Sequence, residues 1–97
     1  MVTADEVPAG GAGLKIECRL NGNVMQSSNT SNLIFDVAKT VHLLSTFMTL
    51  EAGDVLVMGT PGGVGFARDP KVFMKAGDVC EVEIESLGTL SNPIAAE

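Results

Sequence analysis

The strongest local constraint in the sequence is the dipeptide Asn21-Gly22, which lies between two runs with the pattern of strands. Residues 14–20, LKIECRL, alternate apolar and polar side chains, as in a strand with one buried and one wet face. Asn-Gly favours the two-residue turns that join antiparallel strands. The sequence therefore predicts an antiparallel hairpin, with NVMQ at 23–26 as its returning strand.

Residues 33–48 carry the periodicity of an amphipathic helix. Their apolar side chains fall mainly on one helical stripe, and Asp36 and Lys39 are turned away from it. The polar cluster from Asn29 to Asn32 precedes this stripe and offers an N-cap. The sequence predicts one main helix from about Leu33 to about Met48.

The second half of the chain contains the tetrapeptide AGDV twice, at 52–55 and at 76–79. Ala-Gly-Asp is typical of a turn, and each copy is followed by a run that favours a strand. We therefore expect two strands, connected through a glycine-rich loop at 59–65, and a last strand that Pro93 ends. The predicted fold class is α+β, mainly antiparallel with one main helix, in a single partial domain over 1–97 whose first 13 residues are a loop.

Charge and hydropathy exclude several function classes. The formal net charge is −6, and six Lys and Arg spread along 97 residues give no basic face for nucleic acid. No apolar run reaches the roughly 20 residues that span a bilayer, and the N-terminus lacks the pattern of a signal peptide. We expect a cytoplasmic protein with reduced Cys18 and Cys80.

The glycine-rich segment GTPGGVGF at 59–66 raises the question of anion binding. It lacks the Gly-Lys-Ser/Thr ending of a P-loop, and its glycines do not fit the dinucleotide fingerprint. Consecutive glycines can still point backbone N–H groups at one anion, and Thr60 adds a hydroxyl. From chemistry alone, a plain connection between strands is the favoured interpretation, with an anion site as the alternative.

Three carboxylates, those of Glu81, Glu83 and Glu85, alternate along one predicted strand and leave the same face. Such a row could hold a divalent cation through oxygen ligands. A solvated strand face is the favoured interpretation, because a single strand rarely surrounds an ion with six oxygens.

Several ordered motifs resemble the C-terminal half of the fumarylacetoacetate hydrolase family. Two strings carry the resemblance, GDVLVMGTPGGVGF and KAGDVCEVEIESLGTLSNPI. Upstream of them, the order of a strand, an Asn-Gly hairpin, the stretch Q-x-x-N-T and a helix also matches the family's pattern. The likeness covers nearly the whole chain. It implies a mixed β-roll, usually dimeric, that uses a divalent metal, Mg²⁺ or Mn²⁺, to act on acylpyruvates and related oxo acids by hydrolysis, decarboxylation or isomerisation.

The resemblance also implies site residues. The threonine of the family's GTP loop contacts substrate, which points to Thr60 with Gly59, Pro61 and Gly62 as substrate-binding residues. Glu83 matches a carboxylate that in some members assists a catalytic histidine, and it is the one catalytic candidate.

The departures from the family pattern decide the expected activity. The family's metal ligands, a Glu-x-Glu pair and a later Asp, and its catalytic lysine and histidine lie upstream of the matching region, and Glu81-x-Glu83 is not that pair. No metal ligand is therefore predicted in this chain, which we expect to be inactive alone. The alternative is a non-catalytic module that forms a homo-oligomer or binds a partner, and a complementing chain is a third possibility.

Overall fold

The computed structural model describes residues 2–96. Its strands and main helix are β1 (Lys15–Leu20), β2 (Asn23–Asn29), α1 (Val37–Ser45), β3 (Val79–Ile84) and β4 (Gly88–Pro93). Short 3-10 helices cover Ala9–Gly11, Thr30–Asn32 and Gly65–Ala67. The strands form one antiparallel sheet in the order β2-β1-β3-β4. The predicted α+β class, with one main helix and antiparallel strands, is confirmed.

The predicted hairpin is present. Asn21 and Gly22 have φ angles of 50° and 78°, the positive values that a tight turn between twisted antiparallel strands requires. The pairing of β1 with β2 contains a β-bulge, because Cys18 lies opposite Gln26 while Arg19 lies opposite Val24. Met25 is thus the extra residue on β2.

The two faces of the sheet differ in chemistry, as the alternation in β1 predicts. One face carries the thiols of Cys18 and Cys80, which are free and have their Sγ atoms 3.9 Å apart. Burial raises the pKa of the Cys18 thiol, with the contact to Cys80 as the next cause. The other face carries the charged side chains of Glu17, Arg19 and Glu83.

Residues 2–96 have almost no core of their own. Among residues 2–96 only Leu14 is buried, with 5% of its surface exposed. Thr30 binds the segment before β1: its hydroxyl accepts from the N–H of Leu14 at 2.9 Å and donates to the carbonyl of Gly11 at 2.6 Å. The backbone hydrogen bonds of the sheet and such local polar contacts therefore stabilise the fold.

The main helix is shorter than predicted. It spans Val37–Ser45, and its N-cap is Asp36, whose carboxylate accepts from the N–H of Lys39 at 2.7 Å. The expected cap in the 29–32 cluster is wrong, because Asn29 caps the 3-10 helix Thr30–Asn32 instead. At the other end the Ser45 hydroxyl donates to a backbone carbonyl one turn back, a competing bond that disfavours continuation.

The strand expected after the first AGDV copy is absent. Residues 55–58 belong to no strand, whereas the strand after the second copy is β3 and the last strand, β4, ends at Pro93 as predicted. Within the described residues, no helix is long and apolar enough to cross a bilayer.

A polar contact joins the hairpin turn to the start of β3. The side-chain amide of Asn21 donates to Asp78 at 2.9 Å, and Asn21 exchanges hydrogen bonds with the backbone of Val79. The pKa of Asp78 lies below its usual range, first because of the Asn21 amide and then because the N–H of Lys75 also donates to the carboxylate. The ionised form of Asp78 therefore stabilises the fold.

A carboxyl group whose pKa is lowered on folding contributes stability above its unfolded pKa, roughly 3.9 for Asp, and loses it as the pH falls through the folded pKa. We expect the free energy of unfolding to decrease from about pH 5 downward, and Asp78→Asn to make that decrease shallower. Urea unfolding of both proteins as a function of pH measures this. Parallel profiles for the two proteins would contradict the assignment.

Candidate functional site

The glycine loop, residues 59–66, is attached to β2 through the side chain of Gln26. The Gln26 amide donates to the Thr60 hydroxyl oxygen at 2.9 Å and to the carbonyl oxygen of Pro61. Gln26 is paired with Cys18 across the sheet and so projects from the thiol face. The first half of the loop is thereby held against the edge strand.

The second half of the loop is held by Arg68, the first residue after its 3-10 helix. The guanidinium donates from Nε to the carbonyl of Gly63 at 2.9 Å and from Nη2 to the carbonyl of Met25. Met25 is the bulged residue of β2, which has no register partner on β1. The bulge thus presents a backbone carbonyl to which Arg68 fastens the loop.

Two glycines of the loop are required by close backbone approach. Gly63 has a φ of 104°, and a Cβ there would collide with the carbonyl oxygen of Met25. A Cβ at Gly65 would collide with the carbonyl oxygen of Val72, whose N–H donates to Gly65 at 3.0 Å. These positions account for part of the glycine content without any ligand.

The remaining positions, Gly59, Thr60, Pro61 and Gly62, form the outward part of the loop. Thr60 and Gly62 are exposed, and among residues 2–96 no protein acceptor is bound by the N–H groups of Gly59, Thr60 or Gly62. Because the Thr60 oxygen already accepts from Gln26, its proton is free to point outward. The Thr60 hydroxyl and these N–H groups are therefore available to donate hydrogen bonds to an anionic or carbonyl oxygen.

Glu83 lies away from this loop. It pairs with Glu17 across the sheet, and Glu17 precedes Cys18, so Glu83 leaves the face opposite to Gln26. Its carboxylate accepts from Nη2 of Arg19 at 2.7 Å. The structure therefore does not bring the catalytic candidate and the substrate-binding candidates together.

The other glutamates of β3 and of the turn after it are also engaged. Nε of Arg19 lies 3.5 Å from a carboxylate oxygen of Glu81. The pKa of the Arg19 guanidinium is raised, first by its hydrogen bond to Glu83. Glu85 accepts from the N–H of Lys15 at 3.0 Å. Residues 2–96 bring together no group of three His, Cys, Asp or Glu side chains that could hold a metal ion. The divalent metal that the family resemblance implies would therefore find no set of three such ligands in the described part of the chain.

Sequence reasoning missed Gln26 and Arg68, the two side chains that position the loop. Gln26 belongs to the Q-x-x-N-T stretch, which carried a family resemblance but no stated task. The structure gives the stretch one: Gln26 holds the glycine loop, while Asn29 and Thr30 hold residues before β1. Arg68, which comes two residues after the glycine-rich segment, was the available signal, whereas Gln26 lies far from that segment in the sequence.

Comparison with known proteins identifies the family. The signature described as "Fumarylacetoacetate (FAA) hydrolase C-terminal" matches residues 1–95. The bovine protein named oxaloacetate tautomerase FAHD2A, mitochondrial, is 48% identical over 94 residues, which cover 97% of this chain and 30% of the bovine protein. The Xenopus laevis protein named oxaloacetate tautomerase fahd2, mitochondrial, is 49% identical over 81 residues, which cover 84% of this chain and 25% of that protein. The chain thus spans less than a third of the length of these two relatives.

Solved structures share the fold. A putative HpcE protein from Mycobacterium smegmatis superposes with a TM-score of 0.93 at 38% identity, over 99% of this chain and 35% of that one. The maleylpyruvate hydrolase from Sphingobium sp. SYK-6, in complex with manganese(II) and pyruvate, superposes with a TM-score of 0.84 at 30% identity, over 98% of this chain and 33% of that one.

Two neighbouring glycines give a matched test of how the loop is held. Gly63→Ala introduces a strained left-handed residue and a collision with Met25, which should lower the free energy of unfolding by about 2 kcal/mol. Gly62→Ala should change it by less than about 0.5 kcal/mol, since Gly62 needs no left-handed φ and its added Cβ meets nothing within 4 Å. Urea unfolding measures both, and equal effects would refute the close approach.

Proposed function

Because the chain belongs to the fumarylacetoacetate hydrolase family, as its C-terminal part, we propose that it forms one side of a binding site for small oxo acids. The observation that carries the proposal is the glycine loop, whose outward donors are held in place by Gln26 and Arg68. Thr60, with Gly59, Pro61 and Gly62, is the proposed substrate-binding segment.

The role of the loop depends on its donors. The Thr60 hydroxyl and the N–H groups beside it would bind a carboxylate or oxo oxygen and fix the orientation of the acid. Because the Gln26 amide donates to the Thr60 hydroxyl oxygen, the hydroxyl proton is directed away from Gln26. Positioning by preorganised donors is useful because no reorganisation is needed when charge develops on the substrate.

A divalent metal, Mg²⁺ or Mn²⁺, would supply Lewis-acid stabilisation of the enolate in the complete domain. The maleylpyruvate hydrolase complex, which holds manganese(II) and pyruvate, supports this for a neighbour of the same fold. Since the described residues offer no ligand set, we assign no metal-dependent step to this chain.

Glu83 is retained as the catalytic candidate that the family resemblance suggests. The geometry favours a charge-pairing task instead, because Arg19 occupies its carboxylate on the face away from Thr60. We therefore propose that Thr60, and not Glu83, is the residue of this chain that contacts substrate.

A non-catalytic, homo-oligomeric or partner-binding module is the alternative function. It is favoured by the large apolar side chains left exposed, among them Ile34 at 91% and Phe47 at 85%. A dimer of this chain would cover such surfaces. Sedimentation that shows a well-behaved monomer at high concentration would count against a homo-oligomer.

For the compartment, we propose the cytoplasm, in line with two cysteines that are free thiols. The bovine relative carries the word mitochondrial in its name. Cell fractionation distinguishes the two compartments.

The isolated chain should not hydrolyse acylpyruvates in the presence of Mg²⁺ or Mn²⁺, because three carboxylate or imidazole ligands are not brought together within residues 2–96. A spectrophotometric assay of purified chain against buffer measures this. Turnover that EDTA abolishes would overturn the prediction.

The Thr60 hydroxyl can be tested in a chimera in which this chain replaces the matched 94 residues of the bovine relative. Thr60→Val should lower kcat/KM by about tenfold to hundredfold, the value of a hydrogen bond to a charged group. Thr60→Ser keeps the hydroxyl and should retain most activity. An inactive chimera with Thr60 intact, or equal activity of all three proteins, would contradict the proposal.

A further inference from the structure

The two thiols of the sheet are close neighbours although they are distant in the sequence. Cys18 lies in β1 and Cys80 lies in β3, 62 residues later. Their Sγ atoms are 3.9 Å apart, and both side chains are free and half-buried. The sheet therefore holds a pair of reduced sulfur atoms close to van der Waals contact, where a small molecule can still reach them.

The register of the sheet explains this proximity. Cys18 lies opposite Val82, and Leu20 lies opposite Cys80, so the two cysteines are diagonal neighbours on one face. The flanking side chains of Leu20 and Val82 are apolar and half-buried. The positions of the two thiols are thus set by the pairing of β1 with β3 and not by a loop.

A metal site fits these thiols poorly. Structural zinc is held by four ligands, whereas among residues 2–96 no third His, Cys, Asp or Glu side chain joins the pair in a group that could hold a metal ion. The reaction open to two neighbouring thiols by themselves is oxidation to a disulfide.

We propose that Cys18 and Cys80 form a redox-responsive pair, which is a dithiol under reducing conditions and an intrachain disulfide when glutathione disulfide is in excess. The Sγ atoms would have to approach by about 1.9 Å to form the bond. Diagonal neighbours have Cα atoms roughly 7–8 Å apart, which is wider than the roughly 4.4–6.8 Å usual for a disulfide. The bond would be strained, and strained disulfides are the easily reduced, regulatory ones.

The oxidation consists of two thiol–disulfide exchanges. One cysteine thiolate attacks a sulfur of glutathione disulfide, breaks its S–S bond, forms a mixed disulfide and releases a glutathione thiolate. The second cysteine thiolate attacks the cysteine sulfur of the mixed disulfide and releases the second glutathione thiolate. The two glutathione thiolates take up the two protons that the cysteines lose, and the two electrons from the pair reduce glutathione disulfide. Burial raises the pKa of the Cys18 thiol, which lowers its thiolate fraction and slows the attack.

The place of the pair gives its oxidation a structural consequence. The pairing of β1 with β3 is the link between the β1–β2 hairpin and the C-terminal strands. Among residues 2–96 only Leu14 is buried, so little side-chain packing supports that link. A covalent bond between Cys18 and Cys80 would restrict the unfolded chain by joining residues 62 positions apart. Oxidation should therefore make the sheet more resistant to unfolding, and reduction should reverse this.

The test is equilibration of the full chain in glutathione buffers of graded composition, both in native buffer and in concentrated urea, with acid quenching and mass spectrometry. Equilibrium is measured because the exchange is slow. We expect the intrachain disulfide, recognised by the loss of two hydrogens, at a level of glutathione disulfide about tenfold or more lower in native buffer than in urea, since the sheet holds the thiols together. The oxidised chain should also unfold at a higher urea concentration than the reduced chain.

The double variant Cys80→Ser/Val79→Cys is a matched control, because it moves the thiol by one residue to the opposite face of β3. Its disulfide should form no more readily in native buffer than in urea. Cys80→Ser alone should give only the mixed disulfide with glutathione. Circular dichroism of both variants, in the reduced state, should match that of the parent chain.

Three results would overturn the proposal. They are equal formation of the disulfide in native buffer and in urea, mixed disulfides or covalent dimers in place of the intrachain bond, and a matched control that behaves like the parent chain. No outcome depends on the binding of oxo acids, so the proposed function can fail independently.

Discussion

The pairing of β1 with a strand on each side holds this chain together. Only Leu14, at the entrance to β1, is buried among residues 2–96, so a side-chain core cannot hold the chain. The ladder with β2 and β3 instead ties the hairpin to the C-terminal strands. It also places Arg19 beside Glu81 and Glu83, which turns a row of like charges into a paired surface.

The bulge in β2 connects this sheet to the candidate site. By leaving Met25 without a register partner, it offers a carbonyl that Arg68 binds, and the neighbouring Gln26 binds Thr60. The inner glycines, Gly63 and Gly65, serve the connection, because an added Cβ would collide with backbone carbonyl oxygens. Binding of an anion by the outer residues, the alternative interpretation from the sequence, stays a prediction.

Local features were predictable and pairing was not. Asn21-Gly22 specified the hairpin, and the strand after the second AGDV copy formed as expected, because each depends on nearby residues and on strands that the chain contains. The strand at 55–58 was predicted from the same local signal and is absent, and these residues make no backbone hydrogen bond to other described residues. Gln26 and Arg68 were missed because their contacts join residues distant in sequence, and α1 was overextended because helical periodicity continues past the competing hydroxyl of Ser45.

Strand pairing, and not the AGDV turn by itself, distinguishes β3 from residues 55–58, which make no backbone hydrogen bond to other described residues. Residue-resolved amide hydrogen exchange of the isolated monomer separates these two causes. We predict slow exchange for amides of β3 that are bonded to β1 and β4, and exchange close to that of an unfolded chain at residues 55–58. Protection at 55–58 equal to that of β3, in the monomer, would contradict the role of strand pairing.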